Sequence, residues 1–110
     1  MGFVPRKESM SKPRAKSADE VQLEVLQHMH AMAVYWAGLP DKTPLERTTG
    51  VVFSILAMID GVAATPALTL SVLTDPTDKA YHKQRGENWY ENGMSINDNV
   101  MLHDLYATYK

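Results

Sequence analysis

The chain has 110 residues, 45% of them hydrophobic, and a formal net charge of −2, a size for one domain rather than two. It contains no cysteine, which excludes disulfides, thiolate nucleophiles and thiolate zinc sites. No apolar run approaches the roughly 20 residues of a spanning helix. The opening MGFVPR has no apolar stretch behind its charges and fails the myristoylation pattern at Arg6. We expect a cytoplasmic protein with no membrane partner.

Charge is unevenly distributed. Residues 1–16 carry Arg6, Lys7, Lys12, Arg14 and Lys16 against Glu8, a net of +4 that leaves −6 for the remainder. This segment lacks apolar periodicity and contains two prolines, so it cannot bury enough surface to offset its ordering entropy. It reads as a disordered basic leader, with residues 17–110 as the globular domain.

Ser17-Ala18-Asp19-Glu20 is a capping box and predicts a helix from 18 to about 37. Val21, Val25, Met29, Met32 and Trp36 recur at helical spacing, with Leu23, Leu26 and Ala33 widening the stripe. Gly38 and Pro40 punctuate its end. Thr43-Pro44-Leu45-Glu46 opens a second helix with a cap, a first-position proline and a capping-box glutamate. From Val51 to Ile59 every residue but Ser54 is apolar, which predicts a central buried helix ending at Asp60-Gly61.

Residues 67–73, ALTLSVL, alternate Leu68, Leu70 and Val72 against Thr69 and Ser71, the pattern of a half-buried strand. A lone strand is not stable, so its partner must come from residues 87–97 or from another chain. Asp75-Pro76-Thr77-Asp78 then predicts a short helix capped by Asp75 and stopped at Gly86. Glu87–Glu91, ENWYE, is expected to be extended or looped beside the strand, with Trp89 largely buried. Asn92-Gly93 marks a turn. Asn97 or Asp98 is expected to cap a last helix to about Thr108, with Val100, Met101, Leu105 and Tyr109 on its apolar side.

Signatures of chemistry are sparse. His28 and His30 sit two apart and diverge on a helix, and H-E-x-x-H is absent. Ser54 has no G-x-S-x-G elbow, and the glycines form no phosphate loop. Asp75, Asp78, Glu87, Glu91, Asp98 and Asp104 cluster late in the chain with His82 and His103, the raw material of general acid–base work. Three of these acids already have helix starts to serve. No catalytic residue, cofactor or metal ligand is assigned. The best candidate interaction surface is His82, Arg85 and Tyr90, because an aromatic beside a planar cation is what protein interfaces favour.

One resemblance adds to this reading. Glu46-Arg47, Gly50, Phe53-Ser54-Ile55-Leu56 and Ile59-Asp60-Gly61 are followed by Asp78-Lys79, Tyr81-His82, Gly86-Glu87-Asn88-Trp89-Tyr90 and Leu102-His103. Over about residues 45–106 this pattern resembles a family of small uncharacterised proteins of bacteria and their phages or prophages, from which Pro76-Thr77 departs at a turn otherwise more acidic. The resemblance implies an accessory role and transfers no catalytic residue.

The expected architecture is a single α+β domain, mainly helical, with an antiparallel helix pair, a small β element and short C-terminal helices. The expected function is binding to a protein partner, with a homodimer as one form of it. Two alternatives are a small enzyme built on the late acids and histidines, and a nucleic-acid binder using the basic leader. Nucleic acid is the less expected partner, since the body of the chain is acidic.

Overall fold

The computed structural model describes residues 12–109; most of the basic leader (residues 1–11) lies outside them. Four helices follow one another: α1 (Ala18–Ala37), α2 (Pro44–Ile59), α3 (Asp78–Gln84) and α4 (Leu102–Tyr109). The first two begin where their capping boxes place them. Ser17 Oγ accepts from Glu20 N–H while Glu20 reaches back to Ser17 N–H, and Thr43 and Glu46 repeat the exchange.

The described part of the leader has no regular secondary structure but is engaged. Arg14 forks onto Glu20 at 2.8 and 2.9 Å, and Lys16 pairs with Glu24. The Arg14 hydrogen bond, helped by Ser17 N–H, pulls the Glu20 carboxyl down to about 2.

α1 and α2 form an antiparallel hairpin. Trp36, in the last turn of α1, lies against Gly50, and its indole N–H donates to Ser54 Oγ at 2.9 Å. Further from the turn, Glu24 and His28 share a groove with Ala64 and Thr65, beyond the end of α2. Arg47 fastens the connection by donating to Leu39 C=O. The turn is made by Asp41 at φ 59°, while Gly38, which ends α1, is in the right-handed region. At the far end of α2, Gly61 is irreplaceable. Its φ is 83°, and a Cβ there would lie 2.7 Å from Ala67 Cβ.

The expected β element is not formed, and the α+β class is corrected to a mainly helical one: among the described residues there is no strand, only an isolated antiparallel bridge between Ser71 and Ser95. The alternation is real, with Leu68, Leu70 and Val72 half-buried and Thr69, Ser71 and Leu73 exposed. Ile96 N–H donates to Leu70 C=O and Val72 N–H to Met94 C=O, but both reciprocal bonds are diverted. Leu70 N–H goes to Asn97 Oδ1, and Val72 C=O accepts from Gly93 instead of Met94. Asn97 Nδ2 takes Leu68 C=O and Asn92 Oδ1 takes Thr74 N–H, so side-chain amides close the ribbon at both ends before a ladder can propagate.

Two helix starts are also corrected. α3 begins at Asp78, not at an Asp75 cap, because Asp75 closes a tighter turn by accepting from Thr77 N–H and Oγ1. α4 uses neither Asn97 nor Asp98. Its inner side is Leu102, His103 and Tyr106, while Val100, Met101, Leu105 and Tyr109 are exposed.

The core is narrower than the apolar run in α2 suggests. Met58 is the one large hydrophobic side chain fully buried among the described residues, with Gly50 and Thr65 beside it in that class. Ile55 and Leu56 are only half-buried.

Gly50→Ala sets two effects against each other. Alanine gains about 1 kcal/mol of helix propensity. Its Cβ would lie 2.4–2.6 Å from three atoms of the Trp36 indole, a ring held in place by its bond to Ser54. Overpacking of this kind costs roughly 1–3 kcal/mol, and loss of the Trp36–Ser54 bond about 1 more. We expect net destabilisation in urea denaturation; a variant as stable as wild type would mean that Trp36 is free to move.

Candidate functional site

The surface singled out by the sequence is built on α3 and the segment after it. Gly86, at φ 71°, reverses the chain beyond the Arg85 C-cap, and Glu87 N–H returns to His82 C=O at 2.9 Å. This fold-back places Glu87–Glu91 against α3 itself. The ribbon partner of residues 70–72 is instead 94–96.

Trp89 is not largely buried; it is 38% exposed. The ribbon has no third layer to receive an indole, so charged side chains cover the ring. Lys79 and Lys83 stand over it at 5.3 and 5.4 Å from the centroid, and its N–H donates to Glu91 at 2.9 Å. Lys79 also pairs with Glu91 at 2.9 Å. The indole and Lys79 together hold the Glu91 carboxyl below the usual range.

Of the three candidate residues, Tyr90 is open, at 64% exposure. Arg85 is open too, lying over the Tyr81 ring at 5.4 Å with Nε 3.3 Å from Glu87. His82 is half-buried between Glu87 (3.0 Å) and Asp78 (3.6 Å) and stacks edge-on against Tyr81. The structure therefore brings His82 and Arg85 together through Glu87. It adds Tyr81 and Trp89, whose part in this surface the sequence reading missed; the i, i+4 spacing of Tyr81 and Arg85 on α3 was the available signal.

A second node escaped the sequence entirely. Asp60, at the end of α2, has its side chain fully buried. It accepts from Leu102 N–H at 2.9 Å, His103 N–H at 2.8 Å and the His103 Nδ1–H. Those are first-turn donors of α4, so Asp60 is the N-cap of a helix more than 40 residues away. Burial works to raise its pKa; the hydrogen bonds from His103 and Leu102 outweigh it and leave the carboxyl below the ordinary range. The His103 ring stacks edge-on against Phe53 and reaches the exposed Asp104 at 3.3 Å. Asp60 and Asn97 border a cleft of about 380 Å3 with Leu68 and Met101. Both Asp60 oxygens are occupied by α4, which makes this a structural node.

The remaining titratable residues do not converge. His28 is half-buried and His30 exposed on α1, and Asp75 is taken up by its own turn. Among the described residues no group of three or more His, Asp or Glu could hold a metal ion, and no helix is long and apolar enough to cross a membrane. Compared with protein-family models, curated proteins and solved structures, the chain gives no match.

Asp60→Ala should cost about 3 kcal/mol, since it strands two buried N–H groups and a histidine. The pH dependence has a definite sign. The folded pKa of Asp60 is depressed, so its contribution is complete above the unfolded carboxyl value near 3.9. It is lost as pH falls through the lower folded value. Hydrogen exchange at Leu102, His103 and Leu105 should lose protection, relative to the intrinsic rate at each pH, on acidification in wild type. It should be fast at neutral pH in Asp60→Ala; slow exchange there would contradict the cap.

Proposed function

We propose that this is a cytoplasmic accessory protein, of the phage or prophage type suggested by its motif pattern, which acts by binding another protein through the α3 surface. The observation that carries this reading is the exposure of three aromatics: Tyr90 is open, and Tyr81 and Trp89 keep exposed surface beside the cations that lie over their rings. Exposed Tyr and Trp beside Arg are the side chains that dominate binding energy at protein interfaces.

Charge favours a protein over a nucleic acid here. Lys79 and Arg85 are matched by Glu91 and Glu87, and Asp78 lies beside His82. A phosphate backbone calls for unmatched cations, and this surface has little net field to offer. In the described part of the leader, Arg14 and Lys16 are likewise paired with Glu20 and Glu24. The enzyme alternative draws less support, since His82 and His103 belong to separate clusters and Asp60 is spent on capping.

Tyr90→Ala and Arg85→Ala should reduce capture of a partner from host lysate at least tenfold. Both side chains are open to solvent, so melting temperature should change little. Trp89→Ala should weaken capture with only a modest stability loss, because the ring is covered by lysines and not by core. Undiminished capture by all three variants would move the binding surface elsewhere.

A further inference from the structure

The helical hairpin presents a second surface with different chemistry. On α1, Leu23, Leu26, His30, Val34 and Ala37 recur at spacings of 3, 4, 4 and 3 residues, and all five are exposed. This stripe is rotated away from the Val21–Trp36 stripe that faces α2, with Ala37 at its edge toward the second helix. From Ala31 to Ala37 the helix is AMAVYWA, apolar on every side. A helix hydrophobic all round belongs in an interior, yet Leu23, Leu26 and Val34 are each more than half exposed. On α2, Leu45 and Val52 are also exposed. Between the helices runs an open apolar groove of about 340 Å3, lined by Ala33, Ala37, Pro44, Thr48 and Val51.

We infer that a second copy of this chain covers this face, and that the hairpins of two protomers stack into a four-helix bundle. Three observations select a second copy over a different partner. First, the face holds both parts of a self-complementary contact. The Leu26–Val34 ridge borders the Ala33–Ala37 groove, so one two-fold operation seats each ridge in the other groove. Secondly, the face carries almost no charge. Its one strong cation, Arg47, is turned onto Leu39 C=O, so pairing like with like sets a single charge per protomer against the other, and the face has little with which to recognise a highly charged partner. Thirdly, the 3-and-4 spacing averages 3.5 residues, the repeat of helices that pack side by side in bundles. The area is adequate. Five large aliphatic side chains at on the order of 100 Å2 each give roughly 500 Å2, and the alanines, Pro44 and the groove walls extend this toward the ~800 Å2 per partner of a stable interface.

This inference is independent of the α3 surface, and its test separates the two. The full chain should sediment at twice its 12.3 kDa mass at tens of micromolar, and its melting temperature should rise with concentration. The double variant Leu26→Glu/Val34→Glu and the single variant Ala37→Glu alter side chains that are open in one protomer. Each should weaken dimerisation at least 100-fold. Tyr90→Ala should leave it intact. The chain has no cysteine, so a spin label on Gln27→Cys, mixed with isotope-labelled wild type, reports the contact even if the glutamate variants lose helicity. Broadening should fall on the Ala33, Ala37 and Val51 amides of the isotope-labelled chain. A wild-type monomer at ~100 µM overturns the inference. So does a dimer that survives the glutamates, one that is lost with Tyr90→Ala, or broadening confined to α3.

Discussion

The tertiary arrangement hangs on one buried carboxylate. Asp60 ends α2 and begins α4, and among the described residues no other side chain joins elements so far apart in sequence through so many hydrogen bonds. A carboxylate with no solvent exposure is costly to bury. It is tolerated here because backbone N–H groups and an imidazole surround it, and because the positive end of α4 faces it. The consequence reaches outward. Fixing His103 sets its ring against Phe53, and fixing the start of α4 holds the far end of the 93–101 segment while Asn97 stitches its middle to Leu68 and Leu70. The chain between Asp60 and Leu102 is thereby a long loop tied at its base. α3 and its aromatics project from this tied loop.

That arrangement explains why a chain with 45% hydrophobic residues closes so little core. From Val51 to Ile59 α2 is apolar on nearly all sides, but α1 covers one side and α4, only two turns long, a second. The ribbon that might have covered a third is stopped by Asn92 and Asn97 before it becomes a sheet. Of the apolar side chains left exposed, Leu23, Leu26, Val34, Leu45 and Val52 lie on the hairpin, while others such as Leu73, Met94, Val100 and Leu105 lie beyond it.

The parts legible in the sequence were those with local causes. Ser17 and Thr43 cap helices through contacts three residues away, and Pro44 and the glutamates reinforce them. The inner stripe from Val21 to Trp36 and the alternation from Leu68 to Val72 follow from periods of 3.6 and 2. What escaped depends on long-range partners. Asp60 looks like an ordinary helix-ending residue until α4 arrives. Asn97 looks like a cap, but its amide imitates a backbone group to Leu70 instead. Trp89 was expected inside because an indole seldom lacks cover; two lysines and a glutamate supplied the cover without a core. Leu23 and Leu26 were assigned to the inner stripe, which a one-chain reading must do, since it has no other interior to offer them.

The two exposed surfaces differ in a way that assigns them different kinds of partner. The α3 surface is aromatic and ionic, with Lys79 and Arg85 matched by Glu91 and Glu87 and its rings partly wetted. It loses little when free, as befits a contact that forms and dissolves. The hairpin face is aliphatic and nearly uncharged. Leaving it open costs solvation free energy at every moment the chain is alone, so its natural occupant is one that is always present at synthesis. A second copy meets that condition, and two copies would carry two α3 surfaces on one rigid bundle. A partner with repeated sites would then be held by both at once, with an avidity that neither surface has alone.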